Sequence, residues 1–208
     1  MSTTQGTIAV VPDPFHLVEF DSAVVRDLVE EIAGSLEIPP GVAVTLTVDE
    51  AIPHPIVATH SDVVDGAIDL WCTGGCFEAR DKTRAFSERH ARAEITAMLL
   101  RARDRLPGGG FEDASPDGDL LPGQRAAWDA YTMGRVRRLG HRVHHQKRLY
   151  DFRLQHGFTD AADAAFDRLW TTPVTTWAAI NELCVETGAA ARPKPKLPAD
   201  LVRRGSRH

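Results

Sequence analysis

The chain has 208 residues, with 29 acids against 24 Lys or Arg, and a net charge of −5. Its length suits one domain or two small ones, and 43% hydrophobic residues are enough for a real core. No apolar run approaches the roughly 18 residues of a membrane span, and no basic segment leads into an apolar stretch at the N-terminus. Three cysteines argue against a disulfide scaffold, so the expectation is a reduced, cytoplasmic protein without membrane association.

Thr7–Val11 reads as a short strand closed by Pro12 and Pro14. Asp21–Leu36 follows as a helix, with Val24, Val25, Leu28, Val29, Ile32 and Leu36 at the 3–4 spacing and Asp21 as its N-cap. Val42–Val48 alternates as a half-buried strand does, Ile56–Thr59 is a second short strand candidate, and Gly66–Cys72 a third. Ser87 caps a long helix to Leu106 on the stripe Ala91, Ile95, Met98, Leu99 and Ala102. Beyond it the pattern is helical throughout. Gln124–His156 is one long helix or two meeting near Gly140, Thr159 caps a helix to Trp170, and Thr175 starts another to about Thr187.

These elements predict an α+β fold: a small mixed sheet with two helices, followed by an all-helical unit. The domain boundaries read as 1–106, a Gly/Pro/Asp-rich linker over 107–122, a helical domain over 123–188, and a loose basic tail over 189–208. Charge changes sign across the linker. Residues 1–120 hold 21 acids and 9 bases, whereas 121–208 hold 8 acids and 15 bases. Halves of opposite sign either attract each other or serve different partners. Asp62, Asp65 and Asp69 are the acids expected to face the basic half.

The positive charge concentrates in GRVRRLGHRVHHQKRLYDFR, Gly134 to Arg153, with seven Arg or Lys, three His and one acid. On a continuous helix, Met133, Val136, Val143 and Tyr150 line a core face. Arg135, Arg138, Arg142 and His145 form a cationic strip, with His141 and Arg148 alongside. Such a footprint suits phosphates or an acidic protein surface. Trp128 and Tyr131 lead into that strip, where stacking on a base or on Arg is conceivable. The spacing of Arg135 and His141 also resembles the Arg-x4-6-His pattern of the all-helical HEPN ribonucleases, which implies an Arg/His-based nuclease.

Metal chemistry has incomplete candidates. Cys72 and Cys76 are separated by three residues with no second pair, and His90 and Glu94 lie one turn apart on the long helix, whereas a structural zinc wants four ligands. The order helix, strands, long helix resembles the layout of small zinc metallopeptidases of the zincin class over about the first hundred residues. That family carries HExxH on the long helix. SERHARAE, Ser87 to Glu94, lacks the second His and the Glu after the first. The resemblance therefore implies a degenerate peptidase scaffold. The expectation is a non-catalytic binding or regulatory protein with no cofactor and no tightly held metal, contacting nucleic acid or an acidic partner through the basic segment. A hydrolase of either resembled kind is the alternative.

Overall fold

In the computed structural model, residues 6–189 are described. The predicted tail lies outside them from residue 190 onward. β1 (Ile8–Val11), β2 (Val44–Asp49), β3 (Thr59–Val64) and β4 (Ala67–Thr73) form one sheet in the order β1-β2-β4-β3. The first three strands in that order run parallel, and β3 is antiparallel to β4. Together with six helices among the described residues, this is an α+β protein.

Alternation sets the sheet's buried face. Val44, Leu46 and Val48 of β2 and Ile68, Leu70 and Cys72 of β4 are all at most 2% exposed. Helix α1 (Ser22–Ser35) packs along β1 and along α2 (Glu88–Arg105), which in turn packs along β3 and β4. α1 contributes Val25, Leu28, Val29 and Ile32, which recur at helical spacing on one buried face. Its N-cap is Asp21, whose carboxylate accepts from the Ala23 N–H.

β3 differs from its prediction. The strand is Thr59–Val64 (THSDVV), not the more apolar Ile56–Thr59, because it is the second arm of a hairpin. Asp65 and Gly66 both have positive φ, 51° and 78°, as a two-residue type I′ turn requires, and they set the register Val64 to Ala67. The strand forms despite Ser61 and Asp62 because the Ser61 backbone and the Asp62 carboxylate both find partners. Asp117 takes the Ser61 N–H, the Asp117 N–H donates to Asp62, and Arg105 donates to the Ser61 carbonyl.

The helical part comprises α3 (Pro122–Arg138), α4 (His145–His156), α5 (Asp160–Thr171) and α6 (Trp177–Glu186). Of the two readings of 124–156, the structure takes the broken one. Gly140, at φ 92°, sits in the interruption. The expected core face ends with it: Met133 and Val136 are buried, Val143 is half-buried, and Tyr150 is 53% exposed. α3 and α5 touch backbone to backbone at Gly134, where a Cβ would stand 2.2 Å from the Trp170 carbonyl oxygen.

The 107–122 segment, read from composition as a linker, carries some of the most buried residues. Phe111 is 1% exposed and stacks on Trp128 of α3, with ring centroids 4.6 Å apart. Asp117, on the 3-10 turn Asp117–Asp119, is also 1% exposed, and Leu120 is buried. One continuous apolar cluster runs from the sheet through α2 into α3, α5 and α6.

Candidate functional site

The basic segment does not form one cationic face. Arg135 makes a bidentate pair with Asp104 of α2, at 2.7 and 2.6 Å, and lies over the Tyr131 ring. Arg138 donates to the Trp170 and Thr172 carbonyls at the C-terminal end of α5. His141 contacts the Thr96 hydroxyl at 3.2 Å, and burial, with Arg92 adding to it, holds its pKa below the usual range. His145 stands edge-on to Phe166 and Trp170. Two members of the predicted set remain directed at cavities: Arg148, and Arg142 with its neighbour His144.

The partners of the seam between the halves also differ from expectation. Among the described residues no ion pair joins Asp62, Asp65 or Asp69 to an Arg of the basic segment. Asp62 lies 3.5 Å from Arg105 instead. The reason is that α2 carries bases of its own at one-turn spacing. Arg101 and Arg105 both reach Asp117 Oδ1, at 2.6 and 2.8 Å, and Arg101 also reaches Asp129 of α3 at 2.8 Å. Both guanidinium groups lie over the buried Trp128 ring, at 4.3 and 4.5 Å, and the Trp128 indole N–H donates to Asp104. The stacking expected of Trp128 is thus on the protein's own arginines.

Where β3, α2, α3 and α4 meet, a cavity of about 330 Å³ opens beside this network, and it adjoins one of about 500 Å³. Both are lined by Arg125, Asp129 and Arg148, so they are neighbouring compartments with a shared wall, taken together as the inner and outer ends of one cleft. Helical periodicity builds it. Arg125, Asp129 and Met133 repeat at four residues on α3, Glu94 and Arg101 at seven on α2, and Arg148, Phe152 and Gln155 project from α4. The inner end is polar, with His60, Glu94 and Arg101. The outer end is largely apolar, with Leu120, Pro122, Ala126, Ala130 and Phe152, and it also carries Asp151, which pairs with Lys147 at 2.6 Å.

Charges in the cleft are unevenly satisfied. Asp129 is paired with Arg101, and Arg125 donates to the Asp117 carbonyl. Arg148 reaches Glu94 only at 4.0 Å, too far for a hydrogen bond, and its side chain is 25% exposed. Glu94 is 19% exposed, and burial pushes its carboxyl pKa above the usual range, with Arg148 opposing. Burial lowers the His60 pKa, and Arg125 lowers it further. Arg148 therefore presents donors to the junction of a charged and an apolar compartment.

Of the metal candidates, Cys72 and Cys76 are buried free thiols, and Cys76 Sγ lies 3.4 Å from the Ala58 carbonyl. Burial, with Cys76 close by, holds the Cys72 pKa well up. His90 and Glu94 face different cavities, and the His90 Nδ1 contacts the Glu78 carbonyl at 2.8 Å. Among the described residues no three His, Cys, Asp or Glu side chains converge as a ligand group. None of the described helices is long and apolar enough to cross a membrane.

Sequence reasoning missed Arg125, Asp129 and His60. The available signal was Arg125 and Asp129 one turn apart on α3, an opposite-charge pair on one face of the helix. No protein-family model, no curated protein and no solved structure matches the chain.

Proposed function

We propose that this is a non-catalytic binding protein whose ligand is a small amphipathic acid, seated in the cleft between α2, α3 and α4. The carrying observation is Arg148, a half-buried guanidinium that makes no side-chain hydrogen bond to any of the described residues and stands where the two compartments meet. An acidic group at that junction receives charge-assisted hydrogen bonds from Arg148, with Arg125 adjacent. The ligand's apolar body then covers Leu120, Ala126 and Phe152 in a compartment of about 500 Å³, within the size range of small-molecule sites.

Binding is favoured over hydrolysis by the state of the sheet edge and of α2. An extended substrate pairing with β3 needs the Ser61 N–H and carbonyl, and Asp117 and Arg105 occupy both. On α2, Ala91 follows His90 where the resembled peptidases carry their catalytic Glu.

Octanoate, benzoate and the neutral analogue octanol, titrated by calorimetry into the full chain, test this reading. The acids should bind, octanol should bind weakly, and Arg148→Gln should weaken the acids by about tenfold or more with little change for octanol. Acid binding that is absent, or the same in Arg148→Gln, overturns the proposal.

A further inference from the structure

A second cavity of about 140 Å³ lies away from the cleft, and every side chain lining it is basic: Arg80, Arg89, His90, Arg142 and His144. They come from three separate stretches of chain. Arg89 and His90 are in the first turn of α2, Arg80 is in the segment before it, and Arg142 and His144 are in the break between α3 and α4. Among the described residues no carboxylate lines the cavity. Of the acids close in sequence, Glu78 accepts from the His54 N–H and Glu88 pairs with Arg92 at 2.7 Å, while Asp81, next to Arg80, is exposed and does not line the cavity.

Gathering three guanidinium groups from distant stretches raises the local potential and costs Coulombic energy, which an anion in the cavity offsets. The arrangement is also held in place. His90 is anchored through Nδ1 on the Glu78 carbonyl, and Arg80 donates to His144 Nε2 at 3.3 Å, which ties the α3–α4 break to the segment before α2. The first turn of α2 adds its partial positive charge. The volume is below the roughly 300 Å³ of sites that enclose a whole organic ligand, so it suits a single compact group.

We propose that this cavity is an oxyanion site for a phosphate group, separate from the acid-binding cleft. Arg forks match the geometry of phosphate oxygens and present several donors to one ion. The same chemistry serves free phosphate, a phosphomonoester, or one phosphate of a nucleic-acid backbone, and the test separates the small ligands from the polymer.

The full chain is titrated calorimetrically with inorganic phosphate at constant ionic strength, and a labelled single-stranded DNA is titrated by fluorescence anisotropy at two salt concentrations. The variant is Arg89→Gln with Arg142→Gln. Both side chains are exposed, so the fold is expected to survive, and circular dichroism checks this. Saturable phosphate binding that falls about tenfold or more in the variant, and is unchanged in Arg148→Gln, supports the site as one for small phosphates. DNA binding that weakens in the variant, loses about 0.7 in salt slope per phosphate contact and is competed by phosphate assigns the site to a polymer. If neither probe's binding depends on Arg89 and Arg142, the proposal fails.

Discussion

The face of the sheet beneath α1 and α2 and the seam between α2 and α3 are equally buried but built from opposite materials. Under the sheet, Val44, Leu46, Ile68 and Leu70 meet Val25, Leu28 and Ile95, and no ionised group is needed. In the seam, Arg101, Arg105, Asp104 and Asp117 are each at most 8% exposed and are arranged around Trp128. An apolar contact tolerates a change of shape at modest cost, because nothing is left unpaired. A buried ionic network holds its geometry strictly, because each group depends on the others for the hydration it gave up. The seam thus fixes how the helical part sits on the sheet, and the cleft opens beside the most constrained part of the molecule.

The sharpest way to break the comparison is to delete one member from each region. Asp117→Ala strands Arg101 and Arg105 together with the Ser61 N–H, and should cost about 3–5 kcal/mol in urea unfolding. Leu46→Ala, a cavity under the sheet, should cost about 2–5 kcal/mol, and Leu46→Met much less, because volume alone matters there. Asp117→Asn keeps the shape of the side chain but should not recover the loss.

Acidity separates the seam from the cleft. Burial pushes the Asp117 carboxyl up, but Arg101 and Arg105 outweigh it and hold its pKa below the usual range. Its contribution is therefore present above about pH 3.9, the unfolded value, and is lost as pH falls through the folded value. Glu94 has the opposite sign, since its folded pKa is raised. Its contribution is complete below about pH 4.3 and declines as pH rises through the folded value. Urea midpoints across pH should show the acid-side fall reduced in Asp117→Asn. Glu94→Gln should remove the decline above about pH 4.3 and leave the acid side alone.

The smallest contrast lies within the basic segment itself. Arg135→Ala removes both hydrogen bonds to the buried Asp104 and should cost about 1.5–3 kcal/mol. Arg138→Ala removes an exposed interaction with the C-terminal end of α5 and should cost about 0.3–1 kcal/mol. Thermal unfolding of the two variants side by side measures the difference. A continuous solvated strip would make them equal.

Periodicity made α1, α2, β2, β4 and the helices of the second half legible, because burial of one face is what those patterns encode. β3 was placed early because Ile56 and Val57 are apolar, yet both are exposed, whereas the Asp65-Gly66 turn marks the true hairpin. The fate of the arginines was less legible. Arg135, Arg138, Arg142 and Arg148 look alike in sequence, and only the approach of α2, α5 and the segment before α2 distinguishes them. Asp117 sits among Gly, Pro and acids that read as solvated, and its burial follows from arginines twelve and sixteen residues earlier. Of the cleft, Arg148 and Glu94 were singled out in advance, but not as neighbours.

The hydrogen bonds on Ser61 have a further consequence. β1 and β3 are the two outer strands of the sheet, and an outer strand offers its free amides and carbonyls to any other extended chain. β1 is only four residues long and runs directly into Pro12, which cannot donate. β3 is longer, and its midpoint is sealed by Asp117 and Arg105. The charges that hold the seam thereby also keep the protein from adding strand to strand. Loss of Asp117 should then be felt twice, as a less stable monomer and as concentration-dependent aggregation of molecules that have not yet unfolded.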